Sequence, residues 1–312
     1  MSLILSSAPH IRTGNTTARL MGNVLIALAP CAAAGVYFFG LRAAIVLAVS
    51  TASAVLAEFV WQKLARQKVR ISDLSAAVTG LLIGLIVSPT VPWWTVMIGS
   101  FFAIIVVKQL FGGVGDNFLN PALAARAVLL ASWPTRLTSH PAVGFNVVDT
   151  ASSATPLASM KGISLNDLLF GQVGGAIGET CKIAILVGLL YLLITSTISW
   201  RIPVITVGSA FLFNLAVSGS LNDSITCILS GGLLFGAVFM ATDYATSPMQ
   251  SYAQTIYSVL IGVITVVIRR WGVYPEGVTY AILIANIVAP LLDRFIPQKI
   301  YGVTGKKKEV KA

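Results

Sequence analysis

Acidic residues are scarce in this chain: 11 Asp and Glu stand against 21 Lys and Arg in 312 residues. Charged side chains of both signs make up only 10% of it, where a soluble domain carries roughly 25%. A surface facing water needs more polarity than that, which excludes an ordinary soluble enzyme. Cysteine is equally sparse. Cys31, Cys181 and Cys227 lie far apart in apolar runs with no CxxC pair, so they read as small apolar helix residues and not as zinc or redox ligands. The two histidines, His10 and His140, sit in separate polar segments. No Walker sequence, Rossmann glycine fingerprint or catalytic triad is present, so the chain is not expected to bind NAD or to build an iron–sulfur cluster alone. No cleavable signal is evident, because the segment before residue 21 is polar and carries Arg12 and Arg19.

What is abundant is apolar. Hydrophobic residues make up 56% of the chain and the mean hydropathy is +0.86. The solvent for such a surface is lipid. The predicted fold class is an all-α integral membrane protein with about ten transmembrane helices. The apolar runs cover residues 21–40, 41–61, 74–90, 93–110, 121–133, 176–198, 202–218, 225–242, 254–268 and 278–292. Several fall short of the roughly 20 residues that span a bilayer. The short ones are Gly-rich or begin at Pro, as broken helices do when they line a site. The chain divides into a cytoplasmic N-terminal segment 1–20, a first transmembrane half 21–133, an extracytoplasmic loop 134–175, a second half 176–292 and a basic cytoplasmic tail 293–312.

The net charge of +10 does not point to nucleic acid, because the basic residues sit in the breaks between apolar runs. With the N-terminus inside, 14 of them face the cytoplasm, Lys108 and the tail run Lys306–Lys308 included. The outside holds 5: Arg42, Arg136, Lys161, Arg269 and Arg270. That asymmetry places both termini in the cytoplasm, and the tail run suits anionic lipid. Arg126 and Lys182 fall within runs and are left out of the count.

An internal repeat is visible. Gly80, Leu81, Leu82, Gly84 and Thr90 recur as Gly232, Leu233, Leu234, Gly236 and Thr242. The two copies lie in the third and eighth runs, five spans apart, so the halves would be two inverted five-helix repeats. Phe111–Gly112 against Trp271–Gly272 extends the echo. Apolar helices rich in Gly and Leu also resemble one another by composition alone.

The loop 134–175 carries Asp149, Ser152, Ser153, Ala154 and Thr155 in a D-x-x-S-x-A-T pattern. That pattern resembles the acceptor sequence for a covalent flavin, in which FMN is joined to threonine through its phosphate. A lone threonine hydroxyl is a poor nucleophile, so a separate flavin transferase must activate it. Small residues at Ser153 and Ala154 let such an enzyme approach, although Ser153 stands where the pattern usually has Gly. A polar, turn-prone loop has a similar composition. Two further stretches accompany it: Gly112, Gly113, Gly115, Asp116, Asn117, Asn120, Pro121 and Arg126 in one, Asp243, Thr246, Ser247 and Pro248 in the other.

Together these three stretches look like the RnfD component of the Rnf electron-transport complex, which is related to the B-type component of the sodium-translocating NADH:quinone reductase. The resemblance covers nearly the whole chain. The reductase component has a longer N-terminal extension, which favours the Rnf branch. The resemblance implies a multi-pass subunit of the bacterial inner membrane with covalent FMN on Thr155 and a non-covalent riboflavin. It implies a translocase that couples electron flow between ferredoxin and NAD to Na+ or H+ transport. Its partners would be other membrane and peripheral subunits, a second flavin-bearing one among them, and the chain would not be active alone.

The residues themselves suggest what a flavin could use. The helix starting at Pro121 would present free N–H groups beside Asn117 and Asn120, which suits a phosphate or the polar edge of a flavin ring. Arg126 is an intramembrane cation and so a site candidate; pairing with Asp116 or snorkelling is the plainer alternative. Asp243 and Thr246 are either cofactor contacts or ordinary helix-end residues. Asn214 and Asn286 read as interhelical glue. Glu58 and Gln62, four apart, read as a local hydrogen bond near the membrane surface. The rival function is a secondary transporter or channel with the same inverted fold and no redox role; such a protein has no use for a flavin acceptor.

Overall fold

The computed structural model describes residues 16–141, 152–153, 165–171, 173–272 and 276–296. Among them, five helices are long and apolar enough to cross a membrane, or six when a bent pair counts as one. The molecule is a multi-pass membrane protein, and its surface has the matching polarity. Large apolar side chains lie outside, among them Leu41, Ile194, Leu212 and Phe295, while Ser50, Thr95, Thr206, Asn214 and Asn286 are buried. A large exposed apolar surface marks contact with lipid or protein rather than water.

Helix α1 (Thr17–Leu64) merges the first two apolar runs. Gly40 interrupts it with φ +68° and ψ −150°, a conformation only glycine adopts freely. The chain reverses there: Thr17 near the start and Glu58 near the end both line cavities that share Val114. The bundle thus has a Thr17 end and a Gly40 end. Helix α2 (Ser75–Ile86) crosses α1 closely. A Cβ at Gly80 would lie 2.7 Å from the Ser50 carbonyl oxygen and the Thr51 Cα, so glycine is what permits the approach. Helix α3 (Trp93–Phe101) runs on into a π-helical stretch, Phe102–Lys108. Helix α4 (Pro121–Ser132) begins at Pro121, as its missing N–H allows.

The described part of the 134–175 loop holds the short helices α5 (Pro134–Thr138) and α6 (Leu165–Phe170). Strands β1 (His140–Pro141) and β2 (Ser152–Ser153) pair antiparallel. The base of the loop is pinned, because Ser88 and Thr90 donate to the Ser139 carbonyl at 2.7 and 3.2 Å.

The sixth run, expected as a helix over 176–198, divides. Its first part is non-helical and buried, and helix α7 begins only at Lys182 (Lys182–Ile194). The reason lies in α2. The Ile177 and Gly178 N–H groups donate to the carbonyls of Val87 and Leu85 at 3.1 and 2.7 Å. These bonds satisfy carbonyls that the end of α2 leaves open, which an apolar surrounding requires.

Helix α8 (Arg201–Ser218) is followed by the bent pair. Helix α9 (Leu221–Leu229) and the segment Leu233–Met240 meet at 62°. The latter comprises α10 (Leu233–Phe235) and a second π-helical turn, Gly236–Met240. Gly231, with φ +63°, makes the corner. Helices α11 (Ser251–Trp271) and α12 (Val278–Phe295) complete the bundle.

Candidate functional site

A cavity of about 480 Å³ opens among α1, α2, α4 and the end of the second π-helical turn, at the Thr17 end. Its polar lining includes Ser75, Lys108, Asn117, Asn120, Thr242 and Asp243; Met21, Val24 and Phe239 are among its apolar walls. That size and mixture suit a cofactor with a flat apolar body and a few polar edges. Both π-helical stretches end at this cavity, one at Lys108 and the other just before Thr242 and Asp243. Such stretches recur at functional sites because they re-aim side chains.

The structure brings Asn117, Asn120 and Asp243 to one cavity, but it changes what Asn120 does. The N-terminus of α4 is not free. The Asn120 side-chain oxygen accepts from the N–H groups of Ala122 and Leu123 at 3.0 and 3.4 Å. Its amide donates to the Met240 carbonyl at 3.2 Å. Asn286, with its amide turned to suit its neighbours, accepts from the Asn120 N–H at 3.1 Å. Asn120 is therefore a helix cap that ties α4 to the π-helical turn and to α12. Asn117 lines the cavity, and its amide donates to the Leu119 carbonyl at 3.1 Å. Gly112, Gly113 and Gly115, all with positive φ, form the turn that brings the chain back to the cavity.

Asp243 faces the cavity instead of bulk water. That enclosure raises its carboxyl pKa, against the hydrogen bond from Thr246 and those from the Ala245 and Tyr244 backbone. Thr246 is buried and donates to Asp243 at 3.2 Å. It acts on the site through Asp243.

Arg126 is elsewhere. It pairs with Glu276 and takes no part in the cavity lining, so neither Asp116 nor snorkelling accounts for it. Lys182, at the start of α7, is buried and donates to the Gly231 carbonyl at 3.2 Å and to the Glu179 carbonyl. Asn214 accepts from Arg270 at 3.1 Å and donates to Ser224 at 3.3 Å, the glue expected of it. Asn286 likewise meets Tyr257 at 2.7 Å. Among the described residues no three His, Cys, Asp or Glu side chains are placed to hold a metal ion.

A second cavity, of about 420 Å³, lies beside the first and is polar. Glu58, Gln62, Asp73, Gln109 and Asp116 line it. The Gln62 amide does donate to Glu58, at 3.2 Å, as the spacing implied. The larger feature escaped the sequence. Lys108 donates to both Glu58 oxygens at 3.0 and 3.1 Å and to the Ser75 hydroxyl at 2.7 Å. Gln109 adds a bond to Glu58 at 2.7 Å. Lys108 is thus a buried ion-pair partner and leaves the count of cytoplasmic loop charges. The available signal was a lysine inside an apolar run of a chain so poor in acids.

Of the flavin-acceptor pattern, Asp149, Ala154 and Thr155 lie outside the described residues; Ser152 and Ser153 form the backbone of β2.

Similarity to known proteins bears on this arrangement. A family model described as the NQR2, RnfD, RnfE family matches residues 4–302. The D-component of the Na+-translocating ferredoxin:NAD+ oxidoreductase complex of Acetobacterium woodii is 47% identical over 320 positions, covering 100% of this chain and 99% of the relative. The D-component of the proton-translocating ferredoxin:NAD+ oxidoreductase complex of Clostridium ljungdahlii is 37% identical, with 96% of each covered. The D-component of the ion-translocating oxidoreductase complex of Shewanella amazonensis is 35% identical, covering 98% of this chain and 99% of the relative.

Proposed function

We propose, from the premise that this chain belongs to the NQR2, RnfD, RnfE family, that it is the flavin-carrying membrane D-component of an ion-translocating ferredoxin:NAD+ oxidoreductase. Full-length similarity to relatives bearing that name is the observation that carries the reading. FMN is held on Thr155 through its phosphate. A non-covalent riboflavin occupies the 480 Å³ cavity. The cavity's mixture of apolar walls with Asn117, Asp243 and Lys108 supports that placement.

A bound flavin supplies one- and two-electron chemistry. The chain supplies position and charge. The Asn120 cap fixes α4 against the cavity, and Thr246 orients the Asp243 carboxyl toward it. The bonds from Ser88 and Thr90 to the Ser139 carbonyl tie the start of the 134–175 loop to the α2–α3 corner.

The ten apolar runs form two inverted sets of five, with both termini in the cytoplasm of a bacterial inner membrane. Matching contacts in the two halves support this. Lys108 meets Glu58 and Ser75 in the first half; Arg270 meets Asn214 and Arg269 meets the Cys227 carbonyl in the second. The partners are the other subunits of the complex and, during maturation, a flavin transferase. The relatives' names include both Na+ and H+, and the reading commits to neither ion.

The test is a mass spectrum of the 134–175 peptide from native membranes. It should carry an FMN-sized increment that Thr155→Val removes. An unmodified peptide from cells that contain the transferase would refute the covalent flavin.

A further inference from the structure

One ion pair stands in the wall between the two cavities. Lys108 lines the larger cavity and not the polar one; Glu58 lines the polar one and not the larger. The pair is therefore a dipole across the wall, with its ammonium end toward the larger cavity. It cannot swing away. All three ammonium hydrogens are engaged, by two Glu58 oxygens and the Ser75 hydroxyl, and Gln62 and Gln109 hold the carboxylate from behind. Both side chains are almost fully buried, at 4% and 1% exposure. A buried pair is a poor way merely to join helices, since apolar side chains of the same volume do so equally well. A fixed dipole aimed at a cavity is, by contrast, an effective way to favour charge that develops there.

We propose that this dipole stabilises negative charge on the molecule in the larger cavity, and that Lys108 is a positioning residue that raises the reduction potential of a flavin bound there. The proposal rests on the reading that this cavity holds the non-covalent flavin. A flavin held there would accept electrons from a redox partner in the complex, and on reduction would gain a negative charge that its neutral oxidised form lacks. Lys108 attracts it, and Glu58, set farther back, repels it less. At the effective dielectric of a protein interior that difference favours the anion by about tenfold. Asp243 lines the same cavity and would act against Lys108 when ionised, so the variants are compared at one pH with Asp243 unchanged.

The experiment uses the full chain with Thr155→Val, in nanodiscs, so that any flavin present is non-covalent. Flavin released on denaturation is quantified, and its potential is measured by redox titration before denaturation. Glu58→Gln combined with Lys108→Met should lower the one-electron potential by about 59 mV, the equivalent of a tenfold loss of preference for the anion. Lys108→Arg should leave it near the starting value. Glu58→Gln alone, which exposes the flavin to an uncompensated ammonium, should raise it and serves where the double variant does not fold. Flavin bound at an unchanged potential in these variants would overturn the proposal while leaving the cavity assignment intact. A Thr155→Val chain that releases no flavin would overturn the cavity assignment, and the proposal with it.

Discussion

Lys108→Met, made with Glu58 left in place, is the most informative single perturbation of this molecule. It removes bonds of 3.0, 3.1 and 2.7 Å and leaves a carboxylate of 1% exposure with only two amides for company. Removing one member of a buried pair costs about 3–5 kcal/mol, because the remaining charge stays desolvated. Glu58→Gln is the reverse case. The ammonium keeps Ser75 and gains a neutral carbonyl, so the cost is about 2–4 kcal/mol. The double variant buries no charge at all and should lose no more than about 2 kcal/mol. The two single costs therefore should not add; the double variant should recover roughly 3 kcal/mol or more of their sum. Denaturant unfolding of the purified chain in mixed micelles measures each corner of this cycle. Two single variants that each cost under about 1 kcal/mol, and that add in the double, would mean the pair is hydrated like one on a surface. Lys108 and Glu58 would then form no fixed dipole across the wall.

Asn120→Ala should destabilise the chain by about 1–2 kcal/mol through loss of the α4 cap, whereas Asn120→Ser keeps a capping oxygen and gives up the bond to Met240; equal losses in the two unfolding curves would contradict the capping role. Gly80→Ala should cost about 1–3 kcal/mol, because its Cβ meets backbone atoms of α1 2.7 Å away and the two helices must separate. For Asp243, the folded pKa lies above the unfolded value of about 3.9. The folded chain then holds a proton that the unfolded chain has lost. The stability this gives is complete below about pH 3.9 and disappears as pH rises through the folded pKa. Asp243→Asn should flatten that part of a stability–pH profile, and an unaltered profile would show that another group sets it.

Much of this was legible in the sequence, for a physical reason. An apolar run needs no partner to be recognised, so the membrane class and the positions of the runs followed from composition and length. The cavity residues Asn117 and Asp243 were legible because polar side chains at the ends of apolar runs are few. What hid was whatever depended on a partner far along the chain. Asn120 looked like part of an open anion site until its bonds to Ala122, Met240 and Asn286 closed it. Arg126 needed Glu276, 150 residues away, to find its pair. Lys108 read as a loop charge because Glu58 approaches it only once α1 has turned back at Gly40. The non-helical start of the sixth run was invisible because its cause, the open carbonyls of Leu85 and Val87, lies in α2.

That last feature makes the second half of the protein depend on the first as the chain is made. Helix α7 has 13 residues, about 20 Å of rise, against a hydrocarbon core of roughly 30 Å. It cannot span alone, and the residues before it carry N–H groups that lipid cannot satisfy. Their partners, Leu85 and Val87, emerge from the ribosome about ninety residues earlier. The N-terminal half therefore acts as a template in the bilayer for the C-terminal half. A chain beginning after the loop would reach the insertion machinery with nothing to dock against.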